Sequence, residues 1–182
     1  MPNYVRWRAE GASYFFTVVT YRRRRIFDCP DTRNMLGAAF RAVMAERPFE
    51  MFACVLLPDH LHCLWTLPDG DDDYSNRWSA IKREFSQRFV AAGGRQLPIT
   101  ANRRRHREFG VWQPRFWEHR IRDEREWYAY RDYIHLNPVK HGYVERPEEW
   151  KWSSIHRQIR LGWLNPGWPG SEPPDLPDVK HD

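Results

Sequence analysis

The chain has 182 residues, 41% of them hydrophobic and 15% aromatic, so it can bury one substantial core; wholesale disorder and a large multidomain architecture are excluded. Its formal net charge is +5, and only four of its 29 Lys and Arg residues are lysines: Lys82, Lys140, Lys151 and Lys180. A guanidinium grips phosphate with a planar fork and stacks on bases, so this composition suits a nucleic-acid surface, although an arginine-rich proteome produces the same bias.

In chain order, residues 13–21 are β-branched and aromatic and predict a strand that ends in the basic turn Arg22 to Arg25. Asp31 or Thr32 can cap a helix to about Arg47, with Met35, Leu36, Ala39, Phe40, Val43 and Met44 on one face. The apolar runs 49–57 and 60–67, separated by Pro58 and Asp59, predict an antiparallel hairpin. An acidic loop at 69–73 leads to a second helix opening at Ser75 or Asn76, whose apolar face is Trp78, Ile81, Phe85 and Phe89. Residues 92–110 show no period and are expected to form a mobile loop. Residues 112–121 predict a further strand, placed at an edge by Pro114. Asp123 with Glu126 resembles a capping box, and the third helix is expected to stop near Asn137, before Pro138.

The order strand, helix, strand, strand, helix, strand, helix matches an α+β fold with a ferredoxin-like β-α-β-β-α-β core, helices on one side of an antiparallel sheet and a further helix added. Residues 1–162 form the expected domain. Residues 163–182 form an irregular tail, in which Glu172, Asp175, Asp178 and Asp182 outweigh Lys180. Cys29, Cys54 and Cys63 are odd in number and lack CxxC spacing, the N-terminus has no apolar signal segment, and no run approaches the roughly 20 apolar residues of a membrane span. The expectation is a soluble, reduced, cytoplasmic protein.

His60 and His62 project from the same face of a strand because side chains alternate there, so one metal ion can meet both imidazoles; a core or surface pair has the same spacing. Tyr133 and Asn137, four residues apart, share a helix face. The stripe Trp127, Tyr130 and Ile134 packs on the sheet, which leaves Tyr133 displaced toward its edge. If that edge faces the histidines, a phenol, an amide and two imidazoles converge in a set suited to phosphoryl transfer. Mg²⁺ or Mn²⁺ fits a mixed nitrogen and oxygen shell, and the phenol can attack phosphorus. His119 is read as packing, Asp71, Asp72 and Asp73 as solvated carboxylates, and Trp150 and Trp152 as pins for the chain end.

Three blocks, at residues 58–86 (PDHLHCLWTLPDGDDDYSNRWSAIKREFS), 112–124 (WQPRFWEHRIRDE) and 133–144 (YIHLNPVKHGYV), resemble the signature blocks of the REP-associated tyrosine transposases. These belong with the single-tyrosine insertion-sequence transposases in the HUH endonuclease superfamily. The similarity runs from about Tyr4 to about Trp168. It implies that His60 and His62 are metal ligands, that Tyr133 is the catalytic tyrosine and that Asn137 is a third, amide-bearing ligand, with His135 a competitor that lies on roughly the opposite helix face.

The resemblance also implies a substrate, single-stranded DNA folded into an imperfect palindromic REP hairpin, which is cut to a 5′-phosphotyrosine and a free 3′-hydroxyl. It further implies a nucleoid-associated protein, and a monomer rather than a helix-exchanged dimer. Two basic clusters are candidate DNA contacts: Arg22, Arg23, Arg24 and Arg25, and Arg103, Arg104, Arg105 and Arg107. Other readings are a domesticated hairpin-binding regulator without catalysis and an RNA-binding ferredoxin-like module, the latter lacking the RNP aromatic pattern. The acidic tail has the sign to compete with DNA for the arginine surface.

Overall fold

In chain order the elements are β1 (Ser13–Val19), α1 (Pro30–Glu46), β2 (Glu50–Leu56), β3 (His60–Thr66), α2 (Tyr74–Ala91), α3 (Ala101–Arg105), β4 (Trp117–Arg120), α4 (Glu124–Lys140) and α5 (Ile155–Arg160). The structure, a computed structural model, describes residues 10–106 and 108–168. Arg107 and the acidic stretch from residue 171 lie outside the described residues. The four strands form one sheet in the order β2-β3-β1-β4, every neighbouring pair antiparallel. This is the expected ferredoxin-like core, with α3 inserted before its last strand.

The sheet is covered on both faces. Tyr14, Phe16 and Val18 of β1 and Leu61, Cys63 and Trp65 of β3 pack with the apolar faces of α1 and α2, including Leu36, Ala39, Phe40, Val43, Trp78, Ile81 and Phe85. On the opposite face Phe15, Ala53, Val55, Leu57 and Leu64 pack against Tyr130, Tyr133 and Ile134 of α4. The two core helices α1 and α2 share one side, as expected, and the added helix α4 covers the other. The reason is visible in the two central strands, whose residues are buried almost without alternation, as expected of strands enclosed by two layers.

Several boundaries differ from the expectations for local reasons. Pro30 sits in the first turn of α1, where its missing N–H costs nothing, so the helix starts before Asp31 or Thr32 could cap it. Asp73 caps α2 by accepting from the Asn76 amide, and Asp71 binds Arg77 through both oxygens at 3.0 and 2.6 Å. Two of the three carboxylates read as solvated therefore organise the helix start. The segment 112–116 does not join the sheet beyond one bridge from Trp112 to Thr20, since Pro114 has no N–H for the ladder, and β4 begins only at Trp117. Residues 101–105 form a short helix capped by Thr100, inside the segment expected to be irregular throughout.

The consequential difference is at Pro138. A proline inside a helix forfeits one hydrogen bond, yet α4 runs on to Lys140 and closes with the His141 amide donating to the Asn137 carbonyl at 3.0 Å. Pro138 is buried, and it sits close enough to the helix end that only one further turn depends on it. The extra residues carry Lys140 and His141 along the same helix as Tyr133. Trp150 donates from its indole to the Leu56 carbonyl at 2.9 Å, and Arg33 lies 3.3 Å from the Trp152 ring centroid, so both tryptophans pin the chain end as expected. Among the described residues no helix is long and apolar enough to cross a membrane.

Candidate active site

The β2–β3 hairpin places His60 and His62 at the start of β3, opposite Val19 and Thr17 of β1. Alternation turns both side chains toward α4, on the face that also carries Leu64. Their rings meet edge to face with centroids 5.0 Å apart. Each ring is oriented through Nδ1: His60 donates to the Asp59 carboxylate at 2.6 Å, and His62 shares a hydrogen bond of 2.9 Å with the Thr17 hydroxyl. Nε2 is then the nitrogen that each ring can offer a cation. Burial works to raise the Asp59 pKa, but the hydrogen bond and charge of His60, helped by Arg23 at 3.2 Å, outweigh it and hold the carboxyl below its ordinary value.

From the other side α4 supplies Tyr133, whose ring stands 5.4 Å from that of His62 at a 74° interplanar angle. The same chain carries both groups. Tyr133 is only 6% exposed and packs against Phe15, so it is seated on the sheet and not displaced toward its edge. The Lys140 ammonium lies 5.1 Å from the Tyr133 ring centroid, and burial lowers the Lys140 pKa. One turn beyond Tyr133, Asn137 is fully buried, and among the described residues neither of its amide atoms meets a hydrogen-bond partner. One turn further, His141 lies 5.4 Å from His60, ring to ring. Asn137 is thus bracketed on its helix by residues that touch both histidines.

A buried amide with no protein partner carries a desolvation cost that a ligand could offset. The donor set of two imidazoles and a carbonyl oxygen suits a divalent cation with further positions for water or phosphate. No group of three or more His, Cys, Asp or Glu side chains poised for a metal occurs among the described residues, so the fit of an ion rests on the two imidazoles and the Asn137 amide. His135 does not compete: it is buried on the α5 side, 3.1 Å from the Ser154 hydroxyl, and burial lowers its pKa to about 3. His119 lies 3.0 Å from Glu126 and stacks on Trp117, a packing role as expected.

Sequence reasoning missed Asp59, Thr17, Lys140 and His141. The spacing of Tyr133, Asn137 and His141 was a usable signal, since residues at i, i+4 and i+8 share a stripe, but it requires a helix that continues through Pro138.

The two arginine clusters have different settings. Arg22 and Arg23 both adopt left-handed backbone, φ 58° and 49°, a conformation rare for non-glycine residues and found at constrained turns. Arg22 is exposed beside the Tyr21 ring; Arg23 joins Asp59, behind His60. Arg24 donates to the Arg95 carbonyl, and Arg25 pairs with Asp28. In the second cluster Arg103 is committed to Glu108, the Trp112 carbonyl and the Tyr21 ring, whereas Arg104 and Arg105 are exposed.

Comparison with known proteins places this geometry in context. The chain is 41% identical over 170 residues to the REP-associated tyrosine transposase of Escherichia coli K12, covering 93% of this chain and 92% of that protein. It is 40% identical over 181 residues to a Haemophilus influenzae protein that carries the same name provisionally, covering 97% of each. A solved structure of a REP-associated tyrosine transposase bound to a REP hairpin superimposes with a TM-score of 0.80 at 39% identity, covering 97% of this chain and 96% of that one. No family model matches the chain.

Proposed function

The chain belongs to the REP-associated tyrosine transposases, and from that premise we propose that it is a metal-dependent single-strand DNA endonuclease and strand transferase acting on REP-type hairpins. The observation that carries the reading is the seating of the Tyr133 ring against His62 within one chain, with Asn137 and His141 following on the same helix stripe.

In this reading the Tyr133 phenol oxygen attacks the scissile phosphorus in line with the departing 3′ oxygen. A bond forms between phosphorus and the tyrosine oxygen, the bond to the 3′ oxygen breaks, the phenolic proton passes to solvent and the 3′ oxygen leaves as a hydroxyl after taking a proton. The 5′ end stays on Tyr133 as a phosphotyrosine, and attack by a 3′-hydroxyl reverses the step and rejoins strands. His60, His62 and Asn137 would hold Mg²⁺ or Mn²⁺, which supplies Lewis-acid polarisation and orientation of the phosphate. Asp59 and Thr17 fix the imidazoles. Lys140 holds its ammonium over the Tyr133 ring, beside the attacking phenol. Because one chain supplies the whole set, a monomer can act in cis. Arg22, Arg23, Arg24 and Arg25 of the first cluster, with Arg103, Arg104, Arg105 and Arg107 of the second, are the proposed DNA contacts, Arg22, Arg104 and Arg105 by exposure and Arg103 through bracing the surface.

The test is a denaturing gel of the protein incubated with a REP-type hairpin oligonucleotide and Mn²⁺. A covalent adduct is expected from the natural sequence, none from Tyr133→Phe, and none in chelator. An equal adduct from Tyr133→Phe rules out this nucleophile, and full activity in chelator rules out the metal.

A further inference from the structure

The sheet carries one further short pairing, on the outer edge of β2. The Leu56 amide donates to the Trp152 carbonyl at 2.9 Å, Val55 bridges Ser153, and the Ser154 amide donates to the Cys54 carbonyl at 2.8 Å. Residues 152–154 thus occupy backbone groups that an edge strand would leave open. Flanking contacts anchor this ledge: Arg33 of α1 lies over the Trp152 ring, and the Gln158 side-chain amide donates to the Phe52 carbonyl at 3.0 Å.

One side chain of the ledge reaches the helix that carries Tyr133. The Ser154 hydroxyl accepts from the Cys54 amide at 2.8 Å and shares a 3.1 Å hydrogen bond with Nε2 of His135. Three segments therefore meet at a single oxygen: β2, residues 152–154 and α4. His135 is fully buried, and its Nδ1 has no hydrogen-bond partner among the described residues. The bond to Ser154 is thus what orients the ring.

His135 follows Tyr133 by two residues, about 200° around the helix axis. The two side chains hold α4 from opposed directions, the phenol ring against Phe15 and His62 and the imidazole against Ser154. Apolar packing is non-directional and permits a helix to roll, whereas a hydrogen bond is directional and limits that roll. The lever is long. A tyrosine oxygen lies roughly 9 Å from its helix axis, so a roll of about 10° moves it about 1.5 Å. A misplacement of about 1 Å at the reacting atoms can cost about 100-fold in rate.

We propose that Ser154 and His135 are positioning residues for strand cleavage: the hydrogen bond between them sets the roll of α4 and through it the placement of the Tyr133 phenol before the histidines. The proposal rests on the nuclease reading and deepens it by naming what aims the nucleophile.

The experiment uses the full chain with a REP-type hairpin oligonucleotide and Mn²⁺. It measures single-turnover adduct formation with both in saturation, hairpin affinity by fluorescence anisotropy and Mn²⁺ affinity by isothermal titration, at a temperature below the melting transition of every variant. Ser154→Ala and His135→Leu should each slow adduct formation about 10-fold to 100-fold and leave both affinities unchanged. Ser154→Thr, which keeps the hydroxyl, should restore the rate. The two losses should not add in the double variant, since each removes the same bond. His135→Leu leaves the bond from Cys54 to Ser154 in place and puts an apolar side chain in a buried site, so it carries the test where Ser154→Ala does not fold. An unchanged rate in His135→Leu overturns the positioning role, as does a loss confined to hairpin or Mn²⁺ affinity, or a double variant whose losses add. If Tyr133-dependent adducts form equally in all variants, the positioning role alone falls; if the natural sequence forms none, the nuclease reading falls with it.

Discussion

His141 stands edge-on to His60, ring centroids 5.4 Å apart at a 68° angle, two turns beyond Tyr133 on one face of α4. On its other side His141 stacks on Tyr143, which in turn stacks on Trp150, the residue whose indole is tied to the Leu56 carbonyl at the end of β2. The imidazole at the start of β3 is thus buttressed by a stack anchored on the neighbouring strand. Burial, with the charges of His60 and Lys140, lowers the His141 pKa.

Asp59 should matter through His60 alone. Its carboxylate fixes the ring by a 2.6 Å hydrogen bond and is itself held by Arg23. Asp59→Ala is expected to weaken Mn²⁺ binding by about 10-fold to 100-fold, the usual effect of removing the group behind a ligating histidine. Isothermal titration with Mn²⁺ measures it directly, and an unchanged affinity would remove Asp59 from the site.

Asn137 should show a conflict between stability and function. Its buried amide has no hydrogen-bond partner among the described residues, so Asn137→Leu, similar in volume, should stabilise the metal-free protein by about 1–2 kcal/mol. The same change should abolish Mn²⁺-dependent adduct formation. Thermal denaturation and the adduct gel together check both halves; a destabilised, active variant would contradict them.

Lys140 lies over the ring of Tyr133. Lys140→Met should lower adduct formation near neutral pH about tenfold, because the cation beside the attacking phenol is gone. Single-turnover rates in saturating Mn²⁺ and saturating hairpin separate this from a loss of DNA affinity, which excess hairpin would restore.

Asp71 should contribute stability with a defined pH dependence. The Arg77 hydrogen bonds hold its carboxyl below the ordinary range, and Arg77 is buried with carbonyls of Arg47, Pro48 and Asp73 around it. A carboxyl whose folded pKa is depressed contributes fully above its unfolded value, about 3.9, and the contribution is lost as pH falls through the folded value. Asp71→Asn should therefore cost about 2 kcal/mol near pH 7 and flatten the acid side of the melting-temperature profile below about pH 4.

Amino-acid order alone determined the type of each main element. The 3.6-residue stripes of α1 and α2 and the hairpin around Pro58 and Asp59 are where they were expected. It also determined which chemical groups share a face, because the period of a strand puts His60 with His62 and that of a helix puts Tyr133 with Asn137. Only the tertiary structure decided that α4 lies on the sheet face opposite α1 and α2. A helix stripe says how much surface must be buried, not against which partner, and that choice is made by long-range packing around Phe15 and Leu64. The passage of α4 through Pro138 was hidden for the same reason, since local propensity ends a helix there and only burial in the assembled core keeps it going. With that turn in place Lys140 and His141 reach the site, and the Thr17 contact that orients His62 forms between strands that only the folded sheet brings together, whereas Asp59 orients His60, its own neighbour in sequence.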